Sequence, residues 1–400
     1  MLSLDMIYKA NTVLSSVIRR TDLISTDKIN PNAQIFLKPE NLQVTGSFKV
    51  RGASFKISQL TDEEKAKGVI ACSAGNHAQG VALAAQRYGI KSLICLPSGA
   101  PISKVEATRE KGAEICLVDG VYDDAYQRAL QLRDERGLTF IHPFDDDYVI
   151  AGQGTIGLEI LNDLPDVDVV IVPIGGGGLA SGVAYAIKML KPDTKVYGVQ
   201  AEGAASMVKS IDQNQIKCLQ SVLTIADGIA VKEPGENTFN LCQQYLDGIV
   251  TVSEDEICAA ILCLMEHHRL IAEGAGAVSI AAAMFDKLPI EGKKVCCILS
   301  GGNIDVTILS RVVNRGLLKS GRTIEMLIEL PDRPGSLLAL TKVIVHHCAN
   351  IISIHHERNG ESPDVNSCNL RIVLETRNAE HTNEIREGIA RNGFQILEWK

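Results

Sequence analysis

The chain has 400 residues, of which 46% are hydrophobic and 22% charged, and its formal net charge is -8. This length is enough for two or three domains and at least one large core. The acidic balance argues against nucleic acid as a partner, because nucleic-acid-binding proteins usually carry a basic face. No run of about 18 apolar residues is present, so we expect no membrane-spanning helix.

The cysteines and histidines give no sign of cross-links or metal. Eleven cysteines occur without a C-x-x-C motif, which favours reduced thiols in a cytoplasmic protein. The first twenty residues lack the apolar core of a signal peptide, which agrees with that location. Three adjacent histidine pairs, at 267–268, 346–347 and 355–356, lack partners at i, i+4 spacing, so we expect no metal site.

Short apolar runs alternate with helical patterns through most of the chain. Strands are predicted at residues 69–73, 92–96, 114–118, 167–174, 196–200 and 294–299, and helices at 79–88, 123–136 and 179–190. Nearly continuous apolar strands that alternate with helices indicate parallel sheets covered on both faces. Ligands bind such α/β folds at the carboxyl ends of the strands.

The pattern changes after about residue 320. Strands are predicted at 323–330, 350–357, 367–376 and 394–399, and helices at 337–348 and 381–391. The order βαββαβ predicts a small ferredoxin-like unit of about 80 residues. The basic segment "RVVNRGLLKSGR" at 311–322 contains two glycines and is interpreted as the linker.

The stretch "NLQVTGSFKVRGA" at 41–53 places Lys49 between Phe48 and Val50. Composition alone favours a solvated charge at such a position. Partial burial would instead favour the neutral, nucleophilic form of its amine.

Two further loops follow buried strands and open helices. "CSAGNHAQG" at 72–80 is rich in small residues, which suits a nest of backbone N–H groups for a carboxylate or another anion. Gly175 to Gly178 follow the strand "VDVVIVPI", and four glycines at a helix N-terminus form a phosphate-binding loop. Gly175, Gly177 and Ala180, with Glu202 farther on, also fit a dinucleotide fingerprint, so a nicotinamide cofactor stays an alternative at this point.

A third segment, "CILSGGN" at 297–303, places the Ser300 hydroxyl at a strand end. A lysine among apolar neighbours, an anion nest, a phosphate loop and this hydroxyl suit pyridoxal phosphate, because a phosphorylated aldehyde uses the lysine and a nicotinamide does not.

The motifs "TGSFKVRGA", "CSAGNHAQG", "GGGGL" and "LSGGN", in that order, resemble the threonine ammonia-lyases (threonine dehydratases) of pyridoxal-phosphate fold type II. The tail, with "DRPG" at its first loop, resembles an ACT domain. The resemblance implies a catalytic domain over residues 1–320, with a smaller subdomain at about 50–145 inserted in the larger. An ACT regulatory domain is implied over 321–400.

The resemblance also assigns the cofactor site. Lys49 matches the lysine that forms the Schiff base and then acts as the base on the substrate, and Phe48 is expected beside the ring. Asn76 matches the partner of the pyridine 3′-oxygen, and Ser300 matches the partner of the pyridine nitrogen. The phosphate loop corresponds to Gly175, Gly176, Gly177, Gly178 and Leu179.

The implied reaction converts L-threonine into 2-oxobutanoate and ammonia, and L-serine into pyruvate. The substrate carboxylate is expected at Ser73, Ala74, Gly75, Asn76 and His77. Ala74 stands where serine racemases, the nearest relatives by motif, typically carry a catalytic serine, so we expect no racemisation. An NAD-dependent oxidoreductase and a catalytically silent amino-acid sensor are the alternatives from other classes.

The ACT resemblance implies control by an amino acid. The expected effector residues are Asp332, Arg333, Pro334 and Gly335, which open the helix predicted at 337–348. Isoleucine or valine is the expected effector. A homodimer or homotetramer is expected, because ACT units usually work in pairs.

Overall fold

The computed structural model describes residues 1–357 and 366–399, and the chain divides into two units, Met1–Ile308 and Leu309–Lys400. Across the described residues, no helix combines the length and the apolar character needed to cross a membrane. All eleven cysteines lie in this part of the chain and none forms a disulfide bond; Cys218 and Cys348 are exposed.

The first unit begins with the elements that build and flank two parallel sheets. They are α1 (Leu4–Leu14), β1 (Ile24–Thr26), β2 (Gln34–Pro39), α2 (Lys49–Ser58), α3 (Asp62–Lys67), β3 (Val69–Cys72), α4 (Asn76–Arg87), β4 (Ser92–Pro97), α5 (Ile102–Arg109), β5 (Glu114–Val118), α6 (Tyr122–Arg136), β6 (Thr139–Phe140) and α7 (Asp147–Asp163). They continue with β7 (Val169–Pro173), α8 (Gly178–Leu190), β8 (Lys195–Ala201), α9 (Ser206–Asp212), α10 (Glu236–Tyr245), β9 (Gly248–Val252), α11 (Glu254–Cys263), α12 (Gly274–Met284) and β10 (Lys294–Leu299).

The larger sheet has the order β1-β2-β10-β7-β8-β9 and the smaller one β5-β4-β3-β6. Every pairing is parallel except that of β1 with β2. The central strands β3 and β7 are buried along their whole length, because helices cover both faces. The predicted parallel-sheet architecture is confirmed.

Helix α7 contains the second glycine pattern of the chain, Gly152-x-Gly154-x-x-Gly157. Each of these glycines lies at a close helix contact. A side chain at Gly152 would come within 2.7 Å of the Arg51 carbonyl oxygen on α2, and one at Gly154 within 2.9 Å of the Gly182 carbonyl oxygen on α8. The pattern therefore serves helix packing and forms no ligand loop.

The second unit contains β11 (Thr323–Pro331), α14 (Ser336–His346), β12 (Asn350–Glu357), β13 (Ser367–Glu375), α15 (Ala379–Arg391) and β14 (Gln395–Trp399). Its sheet is antiparallel with the order β12-β13-β11-β14. One face is apolar and contributes Met326, Ile328, Leu370 and Ile372 to a core shared with Leu340 and Ile385 of the helices.

Most of the segment interpreted as the linker, 311–322, is helical and belongs to α13 (Val306–Lys319). Within this helix, Val312 and Gly316 lie four residues apart and are both buried. One buried stripe on an otherwise exposed segment is enough to favour a helix.

Candidate active site

Lys49 is the first residue of α2, which follows a loop fixed by backbone contacts. The Phe48 N–H donates to the Ser300 carbonyl oxygen at 3.1 Å, and the Gly302 N–H to that of Gly46 at 2.9 Å. Ser47 and Gly301 form an antiparallel bridge between these contacts. The segments "TGSF" and "SGGN" therefore run side by side, and this pairing fixes the position of Lys49 relative to Ser300.

The Lys49 amine lies in a half-buried position and donates to the Pro143 carbonyl oxygen at 2.8 Å. Its Nζ is 5.3 Å from the centre of the Phe48 ring. Burial lowers the pKa of the ammonium group from 10.5 to about 8, against the opposing effect of the Glu273 carboxylate. Near neutral pH a much larger fraction of the Lys49 amine is therefore neutral than in an ordinary lysine.

Ser73 to Gly75 form the loop between β3 and α4, whereas Asn76 and His77 belong to the first turn of α4. The helix was predicted to begin at residue 79, three residues too late. Gly75 precedes the helix without a side-chain cap, and a methyl group built on it would meet no atom within 4 Å. The N–H groups of this turn have no partner within the helix, so they are suited to bind an anion in that space.

His77 differs from its neighbours because its side chain is buried and already forms a hydrogen bond. Its Nε2 lies 2.9 Å from the Ile141 carbonyl oxygen. Burial, with a smaller contribution from Lys49, lowers the pKa of the imidazole to about 3. The ring is therefore neutral at physiological pH and donates to that carbonyl, which leaves the backbone N–H of His77 as its group for a substrate.

Asn76 is held by two partners that sequence analysis did not identify. Its Nδ2 donates to Glu273 Oε1 at 2.6 Å, and its Oδ1 accepts from Asn303 Nδ2 at 2.6 Å. Asn303 also donates to the Thr45 carbonyl oxygen at 2.8 Å. The amide of Asn76 is thus oriented from both ends, and one of its two N–H donors stays available for a ligand.

Glu273 is a buried carboxyl at the N-terminus of α12. Burial and the nearby Asp227 raise its pKa to about 7, while the Asn76 hydrogen bond, Lys104 and Lys49 act in the opposite direction. A side chain at Gly301 would overlap Glu273 Oε1, so glycine there makes room for the carboxyl. Only the surrounding "AEGAGA" run, a carboxylate before a helix of small residues, could have drawn attention to it in the sequence.

The glycine loop between β7 and α8 packs closely against neighbouring side chains at the positions where a Cβ would lie. A side chain at Gly176 would overlap the Phe144 ring, and one at Gly177 would lie 2.8 Å from Met207 and Thr238. Gly177 also has a φ of 98°, a conformation that favours glycine. Thr238 Oγ1 donates to the Gly176 carbonyl oxygen at 2.6 Å, which helps to orient the loop. Leu179, in the first turn of α8, is buried.

Gln153 on α7 lies beside this loop and was also missed. It is fully buried, and neither of its amide atoms has a hydrogen-bond partner among the described residues. A side chain at Gly178 would lie 2.9 Å from Gln153 Oε1. A buried amide without partners costs about 1–3 kcal/mol, so it fits a place where a polar ligand supplies the missing partner.

Ser300 follows β10 and is buried, and its hydroxyl donates to the Ala275 carbonyl oxygen at 3.2 Å. The hydroxyl would turn from this carbonyl to reach a ring nitrogen. The loops after β3, β7 and β10 thus bring Asn76, the glycines and Ser300 into the same unit as Lys49.

Comparison with known proteins decides the family. The family model "Pyridoxal-phosphate dependent enzyme" matches residues 14–301. An L-threonine ammonia-lyase from Thermotoga maritima is 46% identical over 398 residues, which cover 99% of both chains. The chain belongs to the threonine ammonia-lyase family.

Two solved structures are similar to this member of the threonine ammonia-lyase family. The processed form of threonine deaminase isoform 2 from Solanum lycopersicum has a TM-score of 0.74 and 39% identity, covering 79% of this chain and 90% of that one. Maize serine racemase has a TM-score of 0.74 and 35% identity, covering 80% of this chain and 98% of that one. The family depends on pyridoxal phosphate, which confirms the predicted cofactor and excludes the nicotinamide alternative.

The residues present fit that cofactor. The N-terminus of α8 offers unpaired N–H donors, and Gln153 beside it has an amide without partners among the described residues. Lys49 supplies an amine with a lowered pKa. These groups match the phosphate and the aldehyde of pyridoxal phosphate.

Proposed function

We propose that this protein deaminates L-threonine to 2-oxobutanoate and ammonia, and L-serine to pyruvate, with the roles assigned above to Lys49, Asn76, the glycine loop and Ser300. The observation that carries the proposal is the half-buried Lys49 amine, whose pKa is lowered to about 8, in a chain that matches an L-threonine ammonia-lyase from end to end.

Bound pyridoxal phosphate supplies the electron sink for charge that develops at the substrate Cα. Gly175 to Leu179 would hold its phosphate, and Phe48, Asn76 and Ser300 its ring. The neutral fraction of the Lys49 amine is available first to attach the cofactor and then to remove the Cα proton. Because Lys49 donates to the Pro143 carbonyl, its lone pair is directed away from that oxygen.

The first turn of α4 and the loop before it would bind the substrate carboxylate through backbone N–H groups of Ser73 to His77. The dipole of a twelve-residue helix adds to this attraction. Ala74 offers no proton donor or acceptor in its side chain. A Cα that has lost its proton to Lys49 therefore receives none from Ala74, which favours loss of the β-hydroxyl over racemisation.

The test combines a spectrum with turnover. The purified holoenzyme should show a visible absorbance band that borohydride bleaches, and it should release ammonia from L-threonine. Lys49→Ala should lose nearly all turnover and the borohydride-sensitive band, although pyridoxal phosphate can still bind without a covalent link. Lys56→Ala, which removes an ion-paired lysine on the same helix, is the control and should keep both. Near-normal turnover in Lys49→Ala would refute the assignment.

For the C-terminal part of the chain we propose an amino-acid-responsive ACT domain over 321–400, and for residues 1–320 a catalytic domain that contains the inserted subdomain at about 50–145. The strand order β12-β13-β11-β14, which in chain order is 2-3-1-4, supports a ferredoxin-like unit. Gly335, with a φ of 93°, precedes α14, so the loop Asp332 to Gly335 leads into a helix N-terminus. The thiols of the eleven cysteines support a cytoplasmic location.

Isoleucine or valine is the proposed effector, and a homodimer or homotetramer the proposed assembly. The experiment is a threonine titration with and without each branched-chain amino acid, on the full-length protein and on a chain ending at Ser320. An effect on the full-length protein alone supports regulation through this unit. If none of the amino acids changes the full-length curve, the regulatory proposal fails. Sedimentation of both chains then tests whether the unit holds the oligomer together.

A further inference from the structure

Three metal-ligating side chains of different types meet at one end of the sheet in the second unit. They are the Asp332 carboxylate, the His356 imidazole and the Cys368 thiol, and their ligand atoms all lie within 4.8 Å of one another. The expectation of no metal site considered only spacing within one segment, whereas these three ligands come from three segments of the chain.

The strand register brings the three together. Cys368 on β13 is opposite Leu330 on β11, and His356 on β12 is opposite Leu370. Since Leu370 is two residues from Cys368, His356 and Cys368 lie on the same face of the sheet. Asp332 follows directly after β11, and its N–H donates to the Asn366 carbonyl oxygen at 2.8 Å.

The contacts suit a soft divalent metal ion. His356 Nε2 lies 2.9 Å from Cys368 Sγ, and the sulfur also lies 3.5 Å from the Leu330 carbonyl oxygen. Around a tetrahedral zinc ion, bond lengths of about 2.3 Å to sulfur and about 2.0 Å to nitrogen place those two ligand atoms about 3.5 Å apart. The pair therefore has to separate by less than 1 Å, and a carboxylate oxygen of Asp332 already lies within 4.8 Å of both ligand atoms.

We propose that Asp332, His356 and Cys368 form a zinc-binding site with three protein ligands and a fourth position open to water or to another donor. A thiolate and an imidazole select Zn²⁺ over Mg²⁺ and Ca²⁺, which prefer oxygen ligands. Binding displaces the thiol proton, so affinity rises with pH. Asp332 also belongs to the loop proposed for the effector, but the zinc site depends only on the contacts described here.

The experiment measures zinc bound to the chelator-treated holoenzyme by equilibrium dialysis, with excess Mg²⁺ present. His356→Ala and Cys368→Ser are the test variants. The controls are His355→Ala, whose side chain points to the opposite face because the residue is adjacent, and Cys348→Ser, at an exposed cysteine of the same unit. Loss of an outer-shell partner alone weakens metal binding by about 10–100-fold, so loss of a direct ligand should weaken it by at least about 100-fold.

The wild type and both controls should each bind one additional zinc ion per chain compared with the two test variants. Co²⁺ in place of Zn²⁺ should give a thiolate charge-transfer band in the wild type and none in Cys368→Ser. If Cys368→Ser does not fold, His356→Ala decides the matter, because His356 is exposed. Equal zinc binding in wild type and His356→Ala, or no zinc binding by the wild type under excess Mg²⁺, would overturn the proposal and leave a metal-free His–Cys hydrogen bond.

Discussion

Replacement of Glu273 by glutamine tests whether the buried carboxyl beside Asn76 is held near neutrality. The Glu273 side chain is 3% exposed, and its Oε1 accepts a hydrogen bond from Asn76 Nδ2 at 2.6 Å. Glutamine has the same shape and can keep an oxygen toward Asn76, but it does not ionise. The substitution therefore isolates the charge of Glu273 from its size and from this hydrogen bond.

The size of the effect follows from the pKa of Glu273, which burial raises from 4.5 to about 7. This difference corresponds to about 3 kcal/mol. Below pH 4.5 the carboxyl is protonated in both folded and unfolded chains and has no effect on stability. As the pH rises from 4.5 to 7, the unfolded carboxyl loses its proton and the folded one keeps it, so the wild type loses stability. Relative to wild type, Glu273→Gln should gain about 3 kcal/mol over that window.

The assay compares thermal unfolding of the cofactor-free wild type and Glu273→Gln from pH 4 to 8. For a unit of 308 residues, about 3 kcal/mol corresponds to about 5 °C in Tm. Titrating groups that do not interact with Glu273 cancel in the difference between the two proteins, and Lys49, which does interact with it, has a pKa of about 8, above the window from 4.5 to 7. Glu110→Gln, at an exposed carboxyl, is the control and should show no such trend. A difference between wild type and Glu273→Gln that does not change with pH would refute the reasoning.

Three further predictions concern other residues. With L-serine, the wild type should form pyruvate and essentially no D-serine, and Ala74→Ser should raise D-serine formation measured by chiral chromatography. Gln153→Leu should weaken pyridoxal phosphate binding by about 10–100-fold in fluorescence titration, since a hydrogen bond to a charged group contributes about 1.5–3 kcal/mol. Arg51→Met should lower the free energy of unfolding by about 3–5 kcal/mol in urea, because it leaves the buried Glu40 carboxylate without its ion-pair partner and the partly buried Glu159 with Lys38 alone.

Each of these three has an outcome that contradicts it. Substantial D-serine from the wild type would show that a group other than residue 74 supplies the second proton. Unchanged cofactor affinity with raised stability in Gln153→Leu would mean that its amide does not meet the phosphate. The control is Arg109→Met, which removes an exposed i, i+3 ion pair and should change the free energy of unfolding by less than about 1 kcal/mol. If Arg51→Met lowers the free energy of unfolding by no more than this control does, burial of the ion pair does not explain its contribution to stability.

The sheets could be predicted from sequence because fully buried parallel strands leave continuous apolar runs. Strands β5 and β10 match their predicted bounds, and the glycine loop follows β7 with only Ile174 between them. Helix α7 was missed. Its glycines lower helix propensity by about 1 kcal/mol each, but close contacts with α2 and α8 require residues without side chains at 152 and 154. Tertiary packing therefore outweighs the local preference.

Contacts between distant parts of the chain could not be predicted. Asn76 is 197 residues from Glu273 and 227 from Asn303, and no local pattern marks these partners. The late predicted start of α4 has a different cause: Gly75 provides no side-chain cap, so the usual sequence signal of a helix start is missing. The residues assigned by motif were accessible to sequence analysis, and the partners that orient them were not.

The distribution of thiols has a practical consequence for fluorescence labelling. Only Cys218 and Cys348 among the eleven cysteines are exposed, and one lies in each unit. Burial raises the pKa of Cys72, Cys95, Cys242 and Cys296 to about 12, so these thiols should react slowly with maleimides. Cys218 and Cys348 are thus the exposed attachment points for a donor and an acceptor dye, and labelling at Cys218 should be slower than at an ordinary thiol because desolvation also raises its pKa. Resonance energy transfer between them would report in real time whether an amino acid changes the separation of the two units.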